Sequence, residues 1–381
     1  MTGFTITVAP RVARRRVARA APAATTIAQW LQHGPAQLRH GPHAGAVAGT
    51  LTHDGAALYV YPEIAGYYLQ WLAWSAQRGG DSLVLSRSAQ DLQAWLGKWL
   101  VLSDPPPTRV HLGPDCDDWR NDAVFLFDLA MVLRGLGAAA QERLLEPDAG
   151  VVAGIVAQLA RLVAADGAFD ACVVNRNAAA PPARWSTRRG AFLAKAAAGI
   201  ITAAQAIPGI PDRIVRAADA TLAQSIAALA SSPHGESHPL LYACEGILAL
   251  PRHAGFPAAL AVVAREYDAL LASADAAGFL PETRGEAATS GPKRVDVLAQ
   301  AIRVGALLQF HRPRQAPDRI ALARVHNALR RQVSASGAVG FAAGDTSRCN
   351  VWAAMFADQA LAFAAPAREP DASWRNGPLL V

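Results

Sequence analysis

Six stretches of this chain are apolar around almost the whole circumference of a helix, and this limits its fold more than any other feature. They are YPEIAGYYLQWLAWSA from Tyr61, NDAVFLFDLAMVLRGLGAAA from Asn121, RGAFLAKAAAGIITAAQAI from Arg189, SHPLLYACEGILAL from Ser237, RVDVLAQAIRVGALLQF from Arg294 and NVWAAMFADQALAF from Asn350. A helix that is apolar on all sides has to be buried on all sides. Between the six lie ordinary amphipathic segments, starting near Ser88, Gly150, Asp212, Phe256 and Asp318. Segments bearing proline and glycine, such as SDPPPTRVHLGPD and TRGEAATSGPKR, punctuate the pattern. The repeat is about 55 residues long, an amphipathic helix followed by an apolar one. Six buried helices ringed by six amphipathic ones predict an all-α chain, a double-layered (α/α)6 toroid of six helical hairpins. An open α-solenoid is the competing arrangement, but it needs polar capping repeats at its ends, and none is evident. The one strand signal is Ala57 to Tyr61, ALYVY. No linker divides residues 45 to 365, so residues 27–381 read as one toroid domain behind an N-terminal arm, residues 1–26.

Composition supports a large core. The chain has 381 residues, 52% hydrophobic and 17% charged, which excludes a mainly disordered protein. No run approaches the roughly 18 apolar residues of a membrane-spanning helix. The net charge of +6 includes Arg11, Arg14, Arg15, Arg16 and Arg19, so the rest of the chain carries only +1. A nucleic-acid binder is therefore not expected, because its folded surface should carry a basic stripe. The arm reads as a solvated leader, with contact to a membrane surface or an anionic polymer as the alternative. It lacks the apolar region of a secretory signal. Cys116, Cys172, Cys244 and Cys349 are far apart and form no C-x-x-C pair. Together these features predict a cytoplasmic chain with reduced thiols. With no phosphate loop, dinucleotide fingerprint or zinc spacing, no cofactor and no metal are expected.

If the inner helices run parallel, their N-terminal ends gather at one mouth, and polar groups there share one cavity. Pro62 suits a first helical turn and sets Glu63 at that mouth, with Tyr67 one turn deeper. A carboxylate beside aromatic rings suits a sugar, though Glu63 also suits the N-terminus of its own helix. Asp115, Asp117, Asp118 and Asp122, with Trp119 among them, could hold a cation, cap a helix or move protons. Asp115-Cys116-Asp117-Asp118 also matches the short acidic string of class II terpene cyclases, which makes an isoprenoid cyclase a third reading. Asp128 stands inside an apolar helix, where it needs a partner or a proton. Arg303 or Lys195 is the expected partner, and a general acid with a raised pKa is the functional expectation. His238 and Tyr242 share a helix face and are candidate proton movers. Arg189, Arg294 and Arg303 suit a sugar carboxylate, or else knit neighbouring helices. Asp296, Gln300, Asn350 and Trp352 complete a polar layer.

YPEIAGYYLQWL, FDLAMVLRGL, HPLLYACEGIL, VDVLAQAIRV and NVWAAMFADQAL together resemble bacterial helical-toroid proteins encoded with exopolysaccharide-biosynthesis machinery. The resemblance spans roughly residues 55 to 365. It implies an (α/α)6 fold akin to carbohydrate-active enzymes, a role around polysaccharides, and polysaccharide-biosynthesis proteins as partners. The matching positions are Tyr61, Glu63, Tyr67, Asp128, Arg134, His238, Tyr242, Asp296, Gln300, Arg303, Asn350 and Trp352. The chain departs from the pattern after Asp128, where Leu129 and Ala130 stand in place of a hydroxyl and a glycine.

The leading expectation is an enzyme acting on a glycan. For hydrolysis, Glu63 and Asp128 are the acid/base pair, and their separation would set retention or inversion. For β-elimination or epimerisation of a uronate, His238 and Tyr242 move protons and Arg303 neutralises the carboxylate. Tyr61, Tyr67, Trp119, Arg189, Asp296, Gln300, Arg303 and Trp352 are the expected substrate-binding residues. A non-catalytic glycan-binding protein of a biosynthetic complex is the alternative from another class.

Overall fold

The computed structural model describes residues 26–113, 116–176, 178–231, 235–284 and 291–364. The basic arm up to residue 25, Asp115 of the acidic string and residues 365–381 of the expected toroid lie outside the described residues.

Every apolar stretch becomes a buried helix. These are α2 (Pro62–Gln77), α4 (Leu126–Gln141), α6 (Leu193–Ala206), α8 (Ser237–Leu248), α10 (Val295–His311) and α12 (Val351–Ala364). The amphipathic partners are α1 (Ile27–His33), α3 (Ser82–Trp99), α5 (Ala149–Ala160), α7 (Asp212–Ser231), α9 (Phe256–Ala272) and α11 (Arg319–Arg330). The buried helices pack in sequence, α2 on α4, α4 on α6 and so on to α10 on α12, and α12 returns to α2. That return makes a closed (α/α)6 toroid and excludes the open solenoid. The sixth outer position is filled by the short α1, which packs on α12 and so joins the two ends of the described chain.

Small residues let the inner helices approach closely. A Cβ added at Gly66 would fall on the Met131 carbonyl, and one at Gly135 on the Gly66 carbonyl, so α2 and α4 meet backbone to backbone. Three of the outer helices are capped by aspartates. Asp81 accepts from Leu83 N and Val84 N, Asp148 from Val151 N, and Asp318 from Ile320 N and Ala321 N, each satisfying donors that a helix leaves open. Behind the Asp81 cap, α3 starts at Ser82, six residues before the expected Ser88.

Strands are more numerous than the sequence indicated, though all are short. β1 (Ala48–Thr52), β2 (Ala57–Val60), β3 (Val110–His111) and β6 (Arg348–Asn350) form an antiparallel sheet in the order β3-β2-β1-β6. β4 (Ala123–Phe125) pairs with β5 (Cys172–Val174). β2, β4 and β6 lead directly into inner helices, so the sheets fix where those helices begin. This is why α4 starts at Leu126 rather than at Asn121: a 3-10 turn over Trp119–Asp122 and then β4 occupy the interval. No helix among the described residues is long and apolar enough to cross a membrane.

Candidate active site

The inner helices present their N-terminal ends to one mouth, and a cavity of about 470 Å³ opens there. It is lined from α2 by Glu63, from α4 by Asp128, from α8 by His238 and Tyr242, and from α12 by Trp352. Tyr61, preceding α2, Trp119, on the 3-10 turn, and Arg294, preceding α10, complete the set of predicted residues on its wall. Local sequence explains the placement. Pro62 opens α2 and puts Glu63 in its first turn, Asp128 falls in the first turn of α4, and Ser237 starts α8 one residue before His238.

The carboxyl groups form one cluster. The Tyr61 hydroxyl donates to Asp128 Oδ1 at 3.1 Å. Asp128 Oδ2 is buried and has no hydrogen-bond partner among the described residues. Burial, and then the negative charge of Glu63, hold the Asp128 carboxyl well above the ordinary carboxylate range. Glu63 is raised too, chiefly by burial, but the Tyr61 hydroxyl, Lys195 and Arg109 oppose the shift. The expected partners of Asp128, Arg303 and Lys195, are engaged elsewhere, and its partner is Tyr61.

On the α8 wall, His238 Nδ1 lies 2.7 Å from Gln300 Oε1 and 3.6 Å from Asp296 Oδ2. Two acceptor oxygens on that edge place the ring proton on Nδ1, which leaves the Nε2 lone pair for a ligand. Burial, helped by nearby Arg294, pushes His238 down to about 3, so the imidazole is neutral. Asp296 is fully buried. It accepts from Arg294 Nη2 at 2.6 Å and Nε at 3.1 Å, and from Trp352 Nε1 at 3.3 Å. Asp296 and Gln300 therefore orient His238 and Trp352 from behind the wall.

Beneath the floor lies an ionic core. Lys195 Nζ is 2.7 Å from Glu245 Oε2, the Arg303 guanidinium donates to Glu245 Oε1, and all three side chains are fully buried. Lys195 also sits 4.7 Å from the Tyr67 ring, 4.6 Å from Tyr242 and 5.0 Å from Phe356, a set of cation–π contacts. Desolvation brings Lys195 down to about 7 and Arg134 down to about 10, against the pull of Glu245. Tyr67 meets the Phe356 ring edge-on at 5.1 Å, below the cavity. Asn350 caps α12 through Ala353 N at 2.8 Å. Tyr67, Arg134, Arg303 and Asn350 belong to this support and not to the cavity wall.

Arg189 is the clear misplacement among the expected residues. It lies outside the cavity on the surface, where it pairs with Asp166 and with Asp170 at 2.9 Å. It follows the loop into α6 rather than the helix itself, so its helical reading did not hold. The acidic string also resolves. Asp118 caps the 3-10 turn through Arg120 N and pairs with Arg109 and Arg120, whereas Cys116 and Asp117 are exposed and line no part of the cavity. An isoprenoid cyclase needs an inward Asp117 and an apolar chamber; this cavity has four arginines and four carboxylates on its wall. Among the described residues no group of three or more His, Cys, Asp or Glu is arranged to hold a metal ion.

A sugar epimerase from a ruminal bacterium superposes with a TM-score of 0.63, covering 90% of this chain and 97% of that one at 10% identity. A D-mannose isomerase gives 0.61, over 85% and 92% at 14% identity. The cellobiose 2-epimerase of Spirochaeta thermophila DSM 6192 gives 0.59, over 88% and 95% at 13% identity. The chain has the toroid fold of these proteins across nearly its whole described length. No family model matches the sequence, and no curated protein matches it.

Several wall residues carry no signal in the sequence. Arg109, Arg120, Arg184, Trp185, Glu236, Glu282 and Phe341 all come from loops, 3-10 turns or helix caps. Trp185 stacks edge-on to His238 at 5.7 Å and to Phe192 at 4.9 Å. A lone tryptophan in the segment PPARWSTRRG was the one visible sign, since a polar loop has no core of its own in which to bury an indole.

Proposed function

We propose that this chain is a carbohydrate-active enzyme that hydrolyses a glycosidic bond, with Asp128 as general acid and Glu63 as base or nucleophile. The observation that carries the reading is the pair of buried carboxyls sharing Tyr61 at one cavity: Asp128 has one oxygen bonded to the Tyr61 hydroxyl and the other without a partner, and burial raises both groups. Two carboxyls in one cavity, one of them keeping its proton, can divide the acid and base roles between them. Asp128 Oδ1 accepts from Tyr61, so Oδ2 is the oxygen that carries the proton to the leaving group. The volume suits a small ligand, and Tyr61, Trp119, Trp185 and Trp352 provide faces for sugar rings. The toroid neighbours described above are named as sugar epimerases and a mannose isomerase, and another solved structure of similar fold is named as a glycosidase in complex with glucose. Exopolysaccharide metabolism is the setting that the sequence resemblance supports, and the free thiols of all four cysteines suit the cytoplasm.

One observation favours a second reading, epimerisation. The neutral His238 offers Nε2 to the cavity and stacks against Tyr242 at 4.2 Å between ring centroids. An imidazole held near 3 is a weak base for carbon acids, because efficient bases sit near the working pH. Hydrolysis therefore leads. Mass spectrometry of neutral and acidic oligosaccharides incubated with the protein in D₂¹⁸O separates the readings. Hydrolysis adds labelled water to the product and is lost in Asp128→Asn. Solvent deuterium appearing on sugar carbon, sensitive to His238→Ala, would move the assignment to epimerisation. Unsaturated fragments would mean elimination. Binding without any product would leave a glycan-binding protein.

A further inference from the structure

Arg109 and Arg120 are held side by side at the cavity by devices that neither the fold nor the hydrolytic reading requires. Arg109 immediately precedes β3, whose ladder with β2 sets Tyr59 opposite His111 and Val60 opposite Val110. Its guanidinium lies 4.7 Å from the Tyr59 ring and 5.1 Å from the Tyr61 ring, along the two aromatic faces. Arg120 lies 4.7 Å over Trp119. Asn121 ties the two segments together: its side chain accepts from Arg109 N at 2.8 Å and donates to Arg109 O at 3.0 Å. Between the guanidinium groups stands Asp118, 3.4 Å from Arg109 and 2.9 Å from Arg120.

Two permanent cations here share one carboxylate. His111 also borders Asp118 at 3.4 Å, while Asp128 and Glu63 act on Arg109 through space without a direct ion pair. Arg109 Nε is buried without a hydrogen-bond partner among the described residues. The other charges on the wall are arranged differently. Arg294 is spent on Asp296 through two bonds. Arg184, Glu236 and Glu282 lie together at the α8 side, where Arg184 and Arg294 act electrostatically on Glu236. The cavity is thus polarised, with surplus positive charge beside the Tyr61–Asp128 pair and carboxylates across from it.

We propose that Arg109 and Arg120 form an anion seat, and that the sugar bound here carries an oxyanion, a uronate carboxylate or a phosphate ester, within one ring of the reacting bond. The inference rests on the glycan reading and adds the substrate class to it. Planar guanidinium groups bind carboxylate and phosphate through paired, charge-assisted bonds. Stacking on Tyr59, Tyr61 and Trp119 fixes their orientation before a ligand arrives, which lowers the entropy cost of binding. Glu236 and Glu282 repel an anion from the opposite side, so the seat also sets which way round the sugar enters.

Calorimetric titration of the full chain tests this with nine probes: glucuronate, galacturonate and mannuronate, the three neutral hexoses, and the three hexose 6-phosphates. The expected result is that one anionic sugar binds roughly tenfold tighter or more than its neutral twin, the scale of a charge-assisted pair. Arg109→Gln and Arg120→Gln should each erode that preference, and Arg109→Lys, which keeps charge but not the fork, should restore part of it. A preference confined to uronates assigns the seat to a carboxylate, and one confined to 6-phosphates assigns it to a phosphate ester. Equal binding of charged and neutral twins, or a preference that survives both glutamine variants with melting points unchanged, overturns the seat. Hydrolysis of neutral glycosides without anion preference would sink the seat and keep the hydrolase. Anion preference without turnover of any glycoside would do the reverse, and binding of none of the nine would overturn both.

Discussion

A buried carboxyl group with no direct ion pair survives by keeping its proton, and Asp128 does so although Arg109 and Arg120 pull the other way. Its folded-state pKa stands well above the unfolded value, so between those values the folded chain binds the extra proton and loses stability as pH rises. Asparagine keeps the bond from Tyr61 and has no charge to desolvate. Asp128→Asn is therefore expected to melt close to the wild type near pH 4 and above it at pH 7.5, while glycoside turnover falls about 10²–10⁴-fold. Melting curves at the two pH values, with initial rates, check both halves; a variant less stable at pH 7.5 would contradict the protonated assignment. The same shifts give the rate profile its shape. Activity should fall on the acid side as Glu63 takes up a proton and on the alkaline side as Asp128 loses one. For His238, burial holds the ring neutral down to about 3, so it contributes no limb between pH 5 and 8. Gln300 fixes its tautomer, and Gln300→Leu should raise KM more than it lowers kcat if the imidazole binds a sugar hydroxyl rather than moving a proton.

Helices and strands were not equally legible. The six inner helices could be read from sequence because closure leaves them no polar face, and their small residues show where they touch. Gly66→Ala would drive a methyl group into the Met131 carbonyl, and overpacking of this kind costs about 1–3 kcal/mol; a urea midpoint unchanged from wild type would mean that α2 and α4 can separate. The strands hid because each is only two to five residues long, too short for a period-two pattern to stand out. A better signal was present and is chemical. Asp54-Gly55-Ala56, Asp166-Gly167-Ala168 and Ser336-Gly337-Ala338 each turn the chain between an outer and an inner helix, with φ near 90°, 81° and 83° at the glycine. Only glycine holds that conformation without strain, so the repeat is stamped in its turns as well as its helices. The site divides in the same way. Glu63, Asp128, His238 and Trp352 lie at helix starts, where spacing along the chain foretells a common mouth. Arg109, Arg120 and Trp185 reach it from loops, whose positions depend on pairings between distant segments. Between the helices, the shared carboxylate of Glu245 holds α6 to α10 through Lys195 and Arg303. Glu245→Gln removes that charge from among buried cations and should cost about 3–5 kcal/mol, read as a lowered denaturant midpoint.

At the scale of the whole molecule, closure is the property that separates this chain from a row of helical pairs. Three contacts make the seam. β1 pairs with β6, Thr50 facing Asn350. The Tyr68 hydroxyl donates to Leu31 O at 3.0 Å, joining α2 to α1, and Trp71 Nε1 donates to Asp358 Oδ2 at 3.0 Å, joining α2 to α12. An open array would lose stability only locally when its end contacts weaken, because each repeat leans on its neighbours alone. In a ring, every inner helix has two inner neighbours, and opening one seam exposes α2 and α12 together to water. Trp71 is fully buried, and Trp71→Phe deletes the indole donor and strands the Asp358 carboxyl, a loss of about 1–3 kcal/mol. The closed ring predicts that this loss appears as a lower midpoint of one cooperative transition with an unchanged denaturant slope, and that amide protection falls in α6 and α8, across the ring, as much as in α2. Two resolved transitions, or protection lost at the seam alone, would show that the toroid is assembled from independently stable arcs. The mouth would then owe its geometry to local hairpins rather than to the ring, and the carboxyl pair on α2 and α4 would keep its spacing even with the seam open.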